Sequence, residues 1–274
     1  MQLSTILQKV ETLPPLPRTV IEIEEFRAKE EKEIAELLAI IEKDALIVSS
    51  ILRIANSAMF GFRSKVETPA RAVSLLGINF TVSIAISSST QKLIETSLDA
   101  YGVSNDRFMR ASNIASVLAN LWLNKVNPTL KDEIILPALL QEVGKYILSD
   151  FIKAEKKEVE FKSRIESGES VEKIEKDMLG TTTSYVTAQI FKHWKLSTNL
   201  INSIEFVDDI ENVEEKFKKI AQILDVIKTA SNILDPLSKS NIEKALKKAK
   251  DYNFDLKPLQ EAIETIQNRA DDAS

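Results

Sequence analysis

The chain contains 274 residues, of which 44% are hydrophobic and 28% are charged, so it can bury a substantial core in one large or two modest domains. Its 36 basic and 41 acidic residues give a net charge of −5, which provides no overall attraction to nucleic acid or anionic lipid. It has no cysteine and a single histidine. This composition excludes disulfides, thiolate ligands, cysteine nucleophiles and a multi-histidine metal centre within one chain.

The low content of turn-forming residues favours helices. Only 6 glycines and 8 prolines are present, whereas proteins rich in tight hairpins need many more. No segment approaches the roughly 18 consecutive apolar residues that cross a bilayer, and the N-terminus lacks the ordered regions of a signal peptide. We therefore expect a helical, cytoplasmic protein that does not bind membranes.

Prolines and apolar spacing predict the elements of the first hundred residues. The LPPLP stretch at 13–17 marks a boundary before a helix that begins near Thr19. Apolar residues spaced as on one helical face predict helices over 34–41, over 45–55 with Asp44 as its N-cap, and over 70–76. The INFTVSIAISSST stretch that follows alternates as a half-buried strand does, so the local pattern alone predicts a β-strand.

The rest of the chain is predicted to form further helices. The helix near 153–168 is charged, and we expect it to be exposed to solvent. Periodic apolar residues predict the others near 107–126, 132–149, 171–179, 184–194, 213–227, 241–250 and 259–269. Ser240 and Glu243 form a capping-box pattern at the start of the 241–250 helix. The 132–149 helix contains LLQEVGKYIL, in which Gly144 costs about 1 kcal/mol relative to alanine. Its presence predicts close approach of another backbone.

Two isolated features have structural readings that we favour over functional ones. His193 lies in FKHWKL without a second histidine or a cysteine, so we interpret it as structural rather than as a metal ligand. The acidic run VDDIENVEE at 207–215 lacks the glycine and the spacing of a calcium loop. We interpret this run as a solvated turn.

A basic region gives a weak signal for DNA binding. Arg53, Arg63, Lys65 and Arg71 place four positive charges near two short paired helices, as in a helix-turn-helix. Eight glutamates lie immediately upstream, between residues 22 and 42, and would repel phosphate. The sequence therefore disfavours nucleic acid as a partner.

Three stretches occur in an order that is specific to one family. LPPLP is followed by IIEKDALIVSSILRIANSAMFG at 40–61 and by ARAVSLLGINF at 70–80. From about Leu13 to Val207 the chain resembles the HDOD domain, a non-hydrolytic bacterial signalling module similar in fold to HD-type metal-dependent phosphohydrolases. This resemblance implies an all-α fold, and hence a helix rather than a strand for INFTVSIAISSST.

The second half is similar to the HD-type core, but other residues stand where that core carries histidine or aspartate. By this resemblance the substituted positions are Ala111 in RAS, Gln141 and Glu142 in LLQEVGK, Thr183 in GTTTS, and Glu205 and Phe206 in SIEF. Alanine, glutamine and threonine cannot rebuild the ligand shell that metal-assisted hydrolysis requires. The resemblance therefore implies a degenerate metal site, no cofactor and no catalytic residue.

The sequence thus predicts an all-α protein with an HDOD-like domain over 1–212 and a C-terminal helical extension over 213–274. The domain comprises an N-terminal helical lobe over 13–100 and a degenerate HD-like core over 101–212. We expect a non-catalytic signal-transduction module that contacts other signalling proteins or binds a small ligand. Arg53, Asn56 and Ser57 are the candidate contacts, although a helix-capping role is favoured for Asn56 and Ser57. A carboxylate-based phosphohydrolase and a nucleic-acid-binding regulator are the alternatives.

Overall fold

The computed structural model describes residues 2–94 and 96–271, and within these ranges the regular elements are all helical. The all-α prediction is therefore confirmed. The first eight α-helices are α1 (Gln2–Glu11), α2 (Arg18–Arg27), α3 (Ile34–Ile41), α4 (Ala45–Ala55), α5 (Pro69–Leu76), α6 (Ile78–Ile94), α7 (Asn105–Val126) and α8 (Pro128–Leu140). The next eight are α9 (Gly144–Ala154), α10 (Glu158–Glu166), α11 (Val171–Leu179), α12 (Thr183–His193), α13 (Thr198–Glu205), α14 (Glu215–Ala230), α15 (Lys239–Asp251) and α16 (Leu256–Asp271). Short 3-10 helices occupy Ala58–Phe60, Asp99–Tyr101 and Ile210–Asn212.

The chain forms two compact units, each assembled from separated segments. The first unit contains the residues up to Pro14 together with 94–112 and 140–254, and the second contains 15–93, 113–139 and the residues from Asp255 onward. This division differs from the predicted boundaries. Residues 113–139 belong to the second unit rather than to the HD-like core, and the predicted extension divides between the two units after Phe254. The prediction followed chain order, whereas the units follow packing.

In the second unit, local capping fixes the ends of the helices that carry the family-like motifs. The Asp44 carboxylate accepts hydrogen bonds from the backbone N of Leu46 at 2.9 Å and of Ile47 at 3.3 Å, as predicted for the N-cap of α4. Thr68 caps α5 in the same way by accepting from the backbone N of Arg71 at 3.2 Å. Gly77, with φ of 84°, ends α5.

The alternating stretch after Gly77 forms the helix α6, so the strand-like local pattern was misleading and the family resemblance was correct. Every residue from 80 to 87 is buried, and a helix buried on all sides has no polar face to produce a helical period. Hydroxyl groups of α6 donate to backbone carbonyls four residues earlier: Thr81 donates to that of Gly77, just before the helix, and Thr90 to that of Ile86. Such bonds satisfy buried hydroxyls without outside partners.

No single described helix is long and apolar enough to cross a bilayer. The consecutive helices α5 and α6 reach that length and apolar content only as a pair, which is bent by 119°.

In the first unit, α12 packs against α1, α9 and α13, while α14 packs against α13 and α15.

The prediction of one helix over 132–149 is wrong, because α8 ends at Leu140 and α9 begins at Gly144. Thr187 on α12 accounts for this break. Its hydroxyl donates to the carbonyl of Gln141 at 3.1 Å and accepts from the backbone N of Gly144 at 2.9 Å. These bonds replace helical ones across the turn.

Gly144 is required by the close approach of α12. A Cβ atom built on it would lie 2.6 Å from the Thr183 carbonyl oxygen and 2.9 Å from the backbone N of Thr187. Both atoms belong to backbone, so a side chain could not rotate away to make room. The predicted close packing at Gly144 is confirmed.

The capping box predicted at Ser240 and Glu243 is wrong. The helix α15 begins earlier, and Ser238 is its N-cap, accepting from the backbone N of Asn241 at 3.4 Å. The serine two residues upstream reaches the first turn, so Ser240 already lies within the helix.

We predict that Gly144→Ala destabilises the protein by about 3 kcal/mol, because α9 and α12 must separate to accommodate the methyl group. Chemical denaturation measures this loss. Gly102→Ala is the control: Gly102 has φ of 68° and open space around its Cα, so only backbone strain of about 1 kcal/mol is expected. Equal losses in the two variants would contradict the steric explanation.

Candidate functional site

The first unit buries a lysine among carboxylates. Lys228 lies on α14 among buried residues such as Ile227 and Ala230, and its side chain is only 6% exposed. Its Nζ atom lies 2.5 Å from Asp208 Oδ1, 3.1 Å from Glu172 Oε1 and 3.4 Å from Glu142 Oε1. Three separated segments of the chain therefore converge on one ammonium group.

A second lysine lies beside the first. Lys145, on α9, places its Nζ atom 3.2 Å from Glu142 Oε2 and 3.3 Å from Glu175 Oε1. The same Nζ atom donates to Thr183 Oγ1 at 2.9 Å and lies 5.2 Å from the centre of the Tyr101 ring. Glu142, in the turn between α8 and α9, thus pairs with both lysines.

We call these six charged side chains the buried ion cluster: Glu142, Lys145, Glu172, Glu175, Asp208 and Lys228. Its four carboxyl groups outnumber its two ammonium groups, so the fully ionised cluster carries two net negative charges. Each lysine is shared between carboxylates, which is the arrangement that makes burial of a charge tolerable.

Asp208 and Lys228 stabilise each other in their ionised forms. Burial raises the pKa of Asp208, but the Lys228 ammonium outweighs burial and lowers this pKa to about 2. Burial likewise lowers the pKa of Lys228, yet the surrounding carboxylates, Asp208 first, hold it well above its ordinary value. Asp208 also accepts from the backbone N of Ser184 at 3.0 Å. Both groups are therefore charged at neutral pH.

Glu175 is the most enclosed carboxyl of the cluster, and burial raises its pKa while Lys145 opposes that rise. Tyr101 OH donates to the Oε1 atom of Glu175 at 2.9 Å, and the Thr183 hydroxyl donates to the same atom at 2.7 Å. The backbone N of Thr183 donates to Oε2 at 2.7 Å. Burial and the negative charge of Glu175 raise the pKa of Tyr101 well above its ordinary value. The phenol therefore remains a hydrogen-bond donor.

The predicted relic positions divide into two groups. Glu142 belongs to the buried ion cluster, and Thr183 contacts it through Lys145 and Glu175. Gln141 is buried, and among the described residues neither atom of its side-chain amide has a hydrogen-bond partner. These three residues lie at one end of α9.

The other three predicted positions lie outside the buried ion cluster. Glu205 pairs with Lys192 at 2.6 Å rather than with a lysine of the buried ion cluster. Phe206 is half-buried at the end of α13, and Ala111 is buried within α7. The assignment of all six positions as former metal ligands stays a prediction.

Sequence reasoning missed the residues that complete the cluster. The 207–215 run was predicted to be a solvated turn, which is wrong for Asp208, because its side chain is 2% exposed. Glu172, Glu175 and Lys228 were not selected at all. A signal for Lys228 exists in the sequence, since a lysine inside the apolar stretch LDVIKTA needs a buried counter-charge.

His193 and its neighbour Trp194 anchor the N-terminal proline segment. His193 Nε2 lies 3.2 Å from the Leu13 carbonyl oxygen, and Trp194 Nε1 donates to the Pro14 carbonyl at 2.9 Å. These contacts agree with the structural interpretation of the histidine.

Asn56 has a structural role in the second unit. Its amide donates to the carbonyl oxygens of Leu52 and Val66 and accepts from the backbone N of Val66, each at 2.8 Å. These bonds close the segment between α4 and α5, so capping accounts for Asn56. Arg53 is exposed and Ser57 is partly exposed beside it. Their role as contacts for a partner or ligand stays a prediction.

A metal centre of the HD type does not fit these residues. Such a centre needs several imidazole or carboxylate groups free to bind the ion. Within the described ranges, no three histidine, aspartate or glutamate side chains are arranged to hold one. Glu142, which the family resemblance predicts at the position of an HD carboxylate, already pairs with two ammonium groups.

The family model for the HDOD domain matches residues 13–210. The chain belongs to the HDOD domain family. The similarity of this HDOD protein to solved structures extends over nearly its whole length.

Two solved structures illustrate the fold. A protein from Marinobacter aquaeolei VT8, named as a proposed signal transduction protein, has 19% sequence identity and a TM-score of 0.74, over 98% of this chain and 63% of that one. A protein from Shewanella amazonensis SB2B, named as a proposed phosphohydrolase, has 21% identity and a TM-score of 0.70, over 96% of this chain and 94% of that one. At these identities the likeness establishes the fold alone.

One curated relative, an uncharacterized protein of Treponema pallidum, is 20% identical over 222 residues. The match covers 79% of this chain but only 42% of the relative. This HDOD protein therefore spans less than half the length of that relative.

We predict that Lys228→Met destabilises the protein by about 3 kcal/mol or more, because it leaves buried carboxylates without their cation. Lys218→Met on the same helix is the control. Lys218 is 44% exposed and, among the described residues, its one ion-pair partner is Glu215, so this change should alter stability little. Denaturation of both variants provides the comparison. Adding Asp208→Asn to Lys228→Met should recover part of the loss, and strictly additive losses would argue against the pairing.

Acid should weaken the fold through Asp208. Its pKa is about 2 in the folded protein against an ordinary value of 3.8, so its contribution is present above pH 4 and is lost as the pH falls toward 2. The contribution is about 2 kcal/mol. The unfolding free energy of Asp208→Asn should therefore vary less between pH 4 and 2.5 than that of the wild type. Asp132→Asn, at a 42% exposed side chain, is the control, and identical profiles for Asp208→Asn and wild type would refute the assignment.

Proposed function

We propose that this HDOD protein is a non-catalytic regulatory module of the cytoplasm that acts through contacts with other signalling proteins or through a bound small ligand. The observation that supports this proposal most directly is the position of Lys228. Its ammonium lies within 3.4 Å of the carboxylate of Glu142, the residue that the family resemblance predicts at the position of the metal-binding aspartate of HD-type enzymes.

An ammonium group cannot replace a metal ion in hydrolysis. Metal-assisted hydrolases use the ion to generate a hydroxide at neutral pH and to polarise the phosphoryl oxygen. Lys228 supplies one positive charge but has no site for a water ligand. Its Nζ atom donates to Asp208 and lies 3.1 Å from Glu172 Oε1 and 3.4 Å from Glu142 Oε1. The carboxylates of the buried ion cluster are thus paired with ammonium groups of the same cluster.

The alternative function is metal-dependent hydrolysis with carboxylate ligands alone. The Shewanella protein of similar fold is named as a proposed phosphohydrolase, which is why this alternative is tested. It would require Glu142 and Glu205 to act together on one ion. Glu142 instead pairs with Lys145 and Lys228, and Glu205 pairs with Lys192. This arrangement favours the regulatory proposal.

A hydrolysis assay separates the two functions. The purified protein is incubated with Mn²⁺, Mg²⁺ or Fe²⁺ and with bis(p-nitrophenyl) phosphate or a cyclic dinucleotide, beside Glu142→Ala prepared in parallel. We expect no turnover above that of Glu142→Ala with any metal. Metal-dependent turnover in the wild type that Glu142→Ala abolishes would contradict the proposal and establish the carboxylate hydrolase.

A further inference from the structure

A cavity of about 620 Å³ lies in the first unit beside the buried ion cluster. Residues before α11, after α14 and along α15 line it. Its volume lies within the range typical of sites for small molecules. Glu172 belongs both to this cavity wall and to the buried ion cluster.

Two of the four carboxylates on the cavity wall, those of Glu169 and Glu172, are already neutralised. Glu169 accepts two hydrogen bonds from Arg164, at 2.9 and 2.6 Å, and Glu172 pairs with Lys228 at 3.1 Å. These acidic groups therefore have cations of their own.

The lysines of α15 are not neutralised to the same extent. Lys248 pairs with Asp225 at 2.6 Å. Among the described residues, however, Lys244 and Lys247 have no ion-pair partner, and Asp251 is an acidic wall residue that likewise has none. Residues three apart on a helix are neighbours on its surface. Lys244 and Lys247 thus present two adjacent positive charges at the cavity.

The neutral polar groups of the wall add hydrogen-bond donors. The Asn232 side-chain oxygen accepts from the backbone N of Leu234 at 2.9 Å, which leaves the amide N–H₂ group available. Ser170 and Ser238 accept from backbone N atoms through their hydroxyl oxygens, so each hydroxyl hydrogen can still be donated. An acceptor-rich, anionic ligand satisfies these groups.

We propose that this cavity binds a small organic phosphate, with Lys244 and Lys247 contacting the phosphate oxygens. The apolar wall residues Ile165, Val171 and Leu234 contact the organic part. This inference rests on the proposed function, of which ligand binding is one mode, and it names the ligand class and the site. Because Glu172 joins the cavity to Lys228, the bound phosphate lies next to the buried ion cluster.

Calorimetric titration tests the site with ADP, glucose 6-phosphate and glycerol 3-phosphate as probes, beside adenosine, glucose and glycerol. The variant Lys244→Gln/Lys247→Gln removes the two free charges. The variant Lys239→Gln/Lys250→Gln is its matched control, because both lysines are exposed on the same helix and outside the cavity wall. Thermal unfolding of each variant verifies that it folds.

We expect at least one phosphate probe to bind saturably, while its unphosphorylated counterpart does not. Its affinity should fall about tenfold or more in Lys244→Gln/Lys247→Gln and change little in the control. Absence of saturable binding by all three phosphates, or equal affinity in the two double variants, would overturn the proposal. Either result leaves the outcome of the hydrolysis assay unaffected. The titration can therefore refute the phosphate site without refuting the regulatory function, and the hydrolysis assay can refute the regulatory function independently.

Discussion

The burial of the Lys228 ammonium is the constraint on which much of the first unit depends. An unpaired ion in a protein interior costs several kcal/mol, so its partners must be in place together. Asp208 follows α13, Glu172 lies in the first turn of α11, and Glu142 lies between α8 and α9. Packing α14 therefore requires three other parts of the chain to have reached their positions. Electrostatics makes their assembly cooperative.

The contact at Gly144 determines where the second lysine lies. Because Gly144 has no Cβ atom, α9 can approach the backbone of Thr183 and Thr187 closely. This approach brings Lys145 within reach of Thr183 and of Glu175 on α11. Gly144, which stands out in the sequence as a glycine within a helical pattern, thus positions the Lys145 ammonium. The partners of Lys145 could not be inferred from the sequence alone.

The sequence predicted the local N-cap at Asp44 and the close packing at Gly144, but it did not identify which distant residues pair with one another. Asp44 caps the helix that starts beside it, so its role could be inferred from its neighbours. Burial of α6 on all sides removed its helical period, and only the family resemblance corrected the strand prediction. The break before α9 depends on Thr187, which is 43 residues from Gly144. Lys145 and Glu175 are 30 residues apart, and no local pattern joins them.

Lys228 also lies beyond the segment that the family model matches, which ends at residue 210. The resemblance could indicate that metal ligands were replaced, but it could not identify a cation contributed by α14. A metal ion exchanges with the solution, and its binding depends on the ion concentration. An ammonium on a helix is present at a fixed stoichiometry. The charge balance around Glu142 therefore depends on the docking of α14, which makes the segment after residue 210 part of the buried ion cluster.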